Sequence, residues 1–183
     1  MNSEYLQKYA RNFPVTTILL LLNLVIFIHN QVGFPFVAMP GVINLNSFLA
    51  NFSHMGLMHF GFNMLVLWQI SPLIEVKFRA CPDECLGGIS YAGIILAMAS
   101  LITLGVARFS NYPTLGFSGI GLGMMVFAGF LYWKNKYIAK QLLGWAAANI
   151  VLGLTPGISF AGHFIGALAG ALIFGIIYLG RLK

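Results

Sequence analysis

Long apolar runs separated by short polar breaks dominate this chain. An α-helix needs about 20 residues to cross a bilayer. Six runs approach that length, at residues 14–31, 54–74, 86–106, 116–133, 139–155 and 160–180, and the fifth is the shortest. Turn-forming residues fall between them. Pro35, Pro40 and Gly41 lie in a long first connection, Pro82 in the second, Asn111 and Pro113 before the fourth run, and Pro156-Gly157 before the last. The pattern predicts an all-α polytopic bundle of six transmembrane helices. It forms a single membrane domain over residues 1–183, with no internal repeat and no separate soluble domain.

The basic residues give the six runs a direction. With the N-terminus cytoplasmic, Lys8, Arg11, Lys77, Arg79, Lys134, Lys136, Lys140, Arg181 and Lys183 all fall on the inner side, and only Arg108 falls outside. That is the asymmetry of the positive-inside rule, and a count of five or seven spans scatters it. Both termini are therefore expected in the cytoplasm. The run after Lys8 and Arg11 resembles a signal peptide. His29, Asn30 and Gln31 follow it where small residues would mark a cleavage site, so it is expected to remain as the first span.

Composition agrees. Of the 183 residues 59% are hydrophobic and 8% charged, against about 25% charged in a soluble domain. The net charge of +6 does not point to nucleic acid, because the cations sit in small groups between apolar runs and form no basic stripe with aromatics. Cys81 and Cys85 lack a second ligand pair, so they are expected to be loop thiols that bind no metal. The first connection, about residues 32–53, is itself apolar. Such a segment either lies in the membrane interface, packs back on the bundle, or is an ordinary ordered loop.

Polar side chains at membrane depth are functional candidates until explained. Here they are Asn23, His29, His54, His59, Asn63, Gln69, Glu75, Ser118, Asn149 and His163. Runs two, four and six descend from outside to inside, each ending at a basic residue. At about 1.5 Å per residue, Ser118 lies about 24 Å above Lys134, His163 about 27 Å above Arg181, and His59 and Asn63 about 27 and 21 Å above Lys77. Four polar groups on three parallel helices thus share one layer near the outer surface of a core about 30 Å thick.

Faces refine this. His59 and Asn63, four apart, share a helix face, while His54 falls well off it and is expected at the helix start or in the loop. Gly166 and Gly170 follow His163 on its own face, and Gly119 and Gly123 give the fourth run the same small-xxx-small device. The fourth and sixth helices are expected to touch and to bring Ser118 to His163. A histidine that accepts a serine proton makes the hydroxyl a nucleophile. Ser118 stands at the predicted start of a helix, whose unpaired N–H groups suit an oxyanion hole, and His59 and Asn63 add side-chain donors. The only carboxylate near this set, Glu75, is about 24 Å below His59 by helical rise. It is expected to form an inner-side ion pair or cap. A zinc site built from His54, His59 and His163 is disfavoured by the placement of His54, and no metal or cofactor is expected. Asn23, Gln69 and Asn149 are expected to hydrogen-bond between helices.

These motifs resemble those of the rhomboid intramembrane serine proteases. His54-Met-Gly-Leu-Met-His59-Phe-Gly-Phe-Asn63 is similar to the second-helix signature of that family, Gly116-Phe117-Ser118-Gly119 to its nucleophile motif, and Gly162-His163-Phe-Ile-Gly166-Ala-Leu-Ala-Gly170 to its sixth-helix histidine motif. Glu75 falls where the family has an acidic residue ending the second helix. The resemblance implies Ser118 as nucleophile, His163 as general base, and His59, Asn63 and the Ser118 N–H as the oxyanion site. His54 would be a supporting residue near the site entrance, with Gly116, Gly119, Gly166 and Gly170 supporting the packing.

Two departures stand out. The family's Trp-Arg pair in the first connection is Leu45 and Asn46 here, and its aromatic residue four positions after the serine is Leu122. The loop and His163 are therefore expected to be held by other contacts. The implied activity is endopeptidase cleavage of transmembrane segments near the outer face of a bacterial inner membrane, with membrane proteins as substrates. The alternative is an inactive relative that binds client helices. A transporter needs a polar path to the inner face, and the lower halves of the fourth and sixth runs offer few polar residues.

Overall fold

The computed structural model describes residues 3–80, 84–155 and 157–180. Cys81, Pro82, Pro156, Arg181 and Lys183 lie outside the described residues, as does the side chain of Cys85. Eight α-helices carry the described chain: α1 (Ser3–Asn12), α2 (Pro14–Val32), α3 (Leu45–Leu49), α4 (Leu57–Arg79), α5 (Glu84–Phe109), α6 (Ser118–Leu131), α7 (Lys136–Leu152) and α8 (Phe160–Gly180). One isolated antiparallel bridge, Ala38 with Thr114, is the only β pairing among the described residues.

Among the described residues, four helices are long and apolar enough to cross a membrane: α2, α4, the Gly87–Phe109 part of α5, and the Phe160–Tyr178 part of α8. Their outward faces are apolar. On α2, Thr16, Leu19, Asn23 and Ile26 form a narrow buried stripe, while Ile18, Leu21, Val25 and Ile28 are exposed. That inversion of a soluble helix is what a lipid environment selects.

The shortest of the matched runs is α6, with 14 residues against 17 in α7, so the expectation for the fifth run is corrected. The residues before Ser118 are spent on an extended segment that ends at Gly116, whose φ of 125° belongs to the left-handed region that favours glycine. Every residue from Gly119 to Gly129 is buried. This helix is walled in by its neighbours and faces little lipid, so it has no need to match the bilayer thickness. Run two also starts later than expected: α4 begins at Leu57, and His54 precedes it.

Buried polar groups tie α2, α4 and α5 together. Glu75, fully buried on α4, accepts hydrogen bonds from the Val15 and Thr16 main-chain N–H groups at 2.8 and 2.9 Å and from the Thr16 hydroxyl at 2.6 Å. It caps the start of α2 from across the bundle, satisfying N–H donors that Phe13 leaves without a side-chain partner. Of the two expectations for Glu75, the cap is the one realised. Since the Thr16 proton goes to the carboxylate, Ser71 donates to Thr16 and Tyr91 donates to Ser71, each at 2.6 Å. Pro72, inside α4, deprives the Trp68 carbonyl of its helical donor. The Tyr9 hydroxyl from α1 supplies one at 3.3 Å.

The first connection packs back on the bundle. Ala38, Ser47, Ala50, Asn51 and Phe52 are buried, while Ile43 and Leu45 remain exposed. Asn44 caps α3 through Ser47 N–H at 2.8 Å. Asn51 donates to Phe48 O and to Thr103 on α5, both at 2.9 Å. Gly116 N–H donates to Ala50 O at 2.9 Å. These bonds anchor the loop without a Trp-Arg pair.

Candidate active site

Four glycine contacts bring α6 and α8 together. A Cβ built at Gly123 would stand 2.8 Å from Gly166 O, and one at Gly119 would stand 2.9 Å from Gly162 O. Those at Gly166 and Gly170 would run into the Gly119 and Gly123 carbonyls. No side chain fits in these places, so the two backbones pack directly on each other. The register that results places His163, buried near the start of α8, over Ser118, the first residue of α6.

The His163 Nε2 atom lies 3.0 Å from Ser118 Oγ. Its Nδ1 lies 2.9 Å from the main-chain oxygen of Asn149 on α7. Ser159 Oγ accepts from Gly162 N–H at 3.1 Å, closing the first turn of α8. Ser159 Oγ also meets Thr114 Oγ1 at 3.0 Å. Thr114 in turn exchanges both main-chain bonds with Ala38, at 2.9 Å each. The serine, the histidine and the first connection are thus fixed to one another through Thr114.

The first helical bond of α6 runs from Gly121 N–H to Phe117 O, 2.8 Å. The Ser118, Gly119 and Ile120 N–H groups before it lack helical acceptors. His59 stands on the other side of the serine. An ideal Cβ at Gly116 would be 2.8 Å from His59 Nε2, 2.7 Å from its Cε1 and 3.8 Å from Ser118 Oγ. Imidazole and hydroxyl therefore face each other across a glycine that has to be one. The buried Asn63 donates one amide hydrogen to His59 O at 2.8 Å, which leaves the second for another acceptor. A cavity of about 20 Å³ opens against Ser118, with Ser47, Asn51, Thr103, Thr114 and Ser159 among its walls. That volume suits about one water.

The residues proposed from sequence as one set, Ser118, His163, His59 and Asn63, lie around the start of α6. Ser118, His163 and His59 meet directly there, while Asn63 stands one turn beyond His59 on α4 and is tied to it through His59 O. The sequence of the chain matches the Rhomboid domain family over residues 44–180. The chain belongs to the rhomboid family. No curated protein matches it. As a rhomboid with apolar spanning helices, it is an integral membrane protein of a protease family.

His54 of this rhomboid lies in the loop before α4, one of the two places expected for it, but its contact with His59 was not foreseen by spacing. His54 is fully buried. Because it precedes α4, helical periodicity does not govern it. Its ring returns edge-on to His59, with centroids 5.1 Å apart, and to Phe60 at 5.5 Å. Burial and the neighbouring His59 push the His54 imidazole down to about 4, so it is neutral in ordinary buffers. Among the described residues no group of three or more His, Cys, Asp or Glu is placed to hold a metal ion. Asn23 and Asn149 donate to Leu19 O and Trp145 O, both at 2.8 Å. They satisfy their own helices, where interhelical bonds were expected, because the carbonyl four residues back is the nearest acceptor. The main-chain oxygen of Asn149 and the hydroxyls of Thr114 and Ser159 are the site-forming groups that sequence reasoning missed. Ser159 alone carried a signal, as a serine just ahead of an apolar helix.

Proposed function

We propose that this rhomboid is an intramembrane serine endopeptidase with a Ser118–His163 dyad. It cleaves transmembrane segments of membrane proteins near the outer face of a bacterial inner membrane. In this reading six helices span the bilayer (α2, α4, α5, α6, α7 and α8), both termini are cytoplasmic, and residues 1–183 form one membrane domain. The observation that carries the reading is the 3.0 Å approach of His163 Nε2 to Ser118 Oγ.

The chemistry follows from the placement of the groups. Ser118 Oγ attacks the scissile carbonyl as its proton passes to His163 Nε2. The developing oxyanion is held by the Ser118 N–H at the α6 start, by His59 and by the free Asn63 amide hydrogen. His163 returns the proton to the leaving amine. A water then enters, loses a proton to His163, and releases the acyl group from Ser118. A relative that only holds client helices shares the fold and lacks this turnover.

The reading is tested by reconstituting the chain with a helical model substrate and analysing products by mass spectrometry. One cut within the apolar segment is expected for the wild type and none for His163→Ala. Undiminished cleavage by His163→Ala would remove the dyad from the mechanism.

A further inference from the structure

We propose that the main-chain carbonyl of Asn149, at the C-terminal end of α7, positions His163 and sets its tautomer, which makes α7 a positioning element for the dyad. This rests on the dyad reading above. A carbonyl oxygen only accepts hydrogen bonds, so a His163 Nδ1 held 2.9 Å from Asn149 O must carry the proton. In the neutral imidazole Nε2 is then the bare nitrogen, and Nε2 is the atom 3.0 Å from Ser118 Oγ. The Asn149 oxygen selects the one tautomer that accepts the serine proton. In serine hydrolases with a triad, a carboxylate performs that selection. Among the described residues, the carboxylate of α4, Glu75, is already committed to the start of α2.

Two local features make Asn149 O available. It sits in the last turn of α7, where carbonyls run out of helical donors. The one donor it has, Gly153 N–H at 3.0 Å, is shared with Ile150 O at 3.1 Å, so a lone pair remains for the imidazole. Gly153 also supplies the clearance. A Cβ there would stand 3.0 Å from Ile150 O, 3.0 Å from Phe160 Cα and 3.4 Å from His163 Nδ1. A helix C-terminus is moreover a favourable place for a cation. When Ser118 gives up its proton, the imidazolium forms against the carbonyl end of α7. The same contact answers the Leu122 departure: leucine offers no ring on which the imidazole might stack, and α7 orients it from the other edge. The base is correctly set only while the end of α7 lies against the start of α8.

The experiment exchanges a single amide for an ester in the full-length chain, placing the α-hydroxy analogue of isoleucine at position 150. This weakens Asn149 O as an acceptor and leaves every side chain in place. The same exchange at position 151 also removes one helical N–H but keeps Asn149 O an amide carbonyl, and so serves as the control. We expect kcat to fall about tenfold for the first ester with KM unchanged, and to change less than twofold for the control. Histidine-selective ¹⁵N spectra, assigned with His163→Gln, should show His163 protonated at Nδ1 in the wild type. Equal kcat for the two esters, or a His163 protonated at Nε2, would overturn the inference. Ser118→Ala runs alongside. If it retains cleavage, the dyad reading itself fails; if it is inactive while the position-150 ester is fully active, only the role of Asn149 fails.

Discussion

Gly166 on α8 packs so closely on Gly119 of α6 that a Cβ at position 166 would run into the Gly119 carbonyl. One residue earlier than Gly119 is Ser118, and three residues earlier than Gly166 is His163. The helix contact and the 3.0 Å approach of the two side chains are therefore one geometric fact. In a lipid environment no hydrophobic force drives two apolar helices together, so close backbone packing has to supply the association.

Gly166→Ala should for that reason abolish the proposed activity before it unfolds the chain. Overpacking a buried contact costs about 1–3 kcal/mol, and the helices relieve it by separating. Activity is expected to fall more than tenfold, with a lower midpoint of thermal unfolding in detergent. Wild-type turnover in Gly166→Ala would show that the register of α6 and α8 does not set the site.

Gly116→Ala places a methyl group where the His59 ring stands, at a backbone conformation an L residue resists. Loss of one oxyanion donor costs about 10²- to 10³-fold in kcat, and that is the expected range. The cycle with His59→Ala separates the two effects. In that background the added cost of Gly116→Ala should shrink severalfold, because the ring it displaces is gone. Full additivity would mean that Gly116 serves the backbone alone.

The sequence carried this much because membrane helices obey few rules. Span length, the side on which cations fall and the 3.6-residue repeat placed Ser118, His163, His59 and Asn63 in one layer, and the structure brings Ser118, His163 and His59 together at the start of α6, with Asn63 one turn beyond His59. The loop position of His54 was among the expectations, but the return of its ring to His59 escaped that logic, because helical spacing does not govern a loop. The length of α6 escaped it because Gly116 and Phe117 before the helix and Tyr132 and Trp133 after it are apolar enough to read as helix, yet they form its entry and exit turns. The Asn149 carbonyl was illegible in principle. Every residue has one, and only the placement of α7 against α8 gives this one a role.

Glu75→Ala removes three short hydrogen bonds and leaves two N–H donors and a hydroxyl at the start of α2 without their acceptor. A stability loss of about 3 kcal/mol is expected, read as a fall in the unfolding midpoint. Activity per folded molecule should stay within twofold, since the cap lies far from Ser118. A large fall in activity at unchanged stability would contradict the purely structural role of this carboxylate.

His54 links stability to pH. Its folded-state value of about 4 lies below the ordinary 6.5, so protons favour the unfolded chain. The contribution is complete above pH 6.5 and is lost as pH falls from there toward 4. The melting point of His54→Leu should fall less than that of the wild type between pH 7 and 4.5. Identical pH slopes for the two proteins would rule out His54 as the titrating group.

The central claim is that Ser118 is a nucleophile armed by His163. The most direct measurement is labelling of the detergent-solubilised chain with a fluorophosphonate, followed by peptide mapping. Stoichiometric modification on Ser118 is expected, absent in Ser118→Ala and slowed at least a hundredfold in His163→Ala. Equal labelling of Ser118→Ala, or no labelling of the folded wild type, would contradict the account.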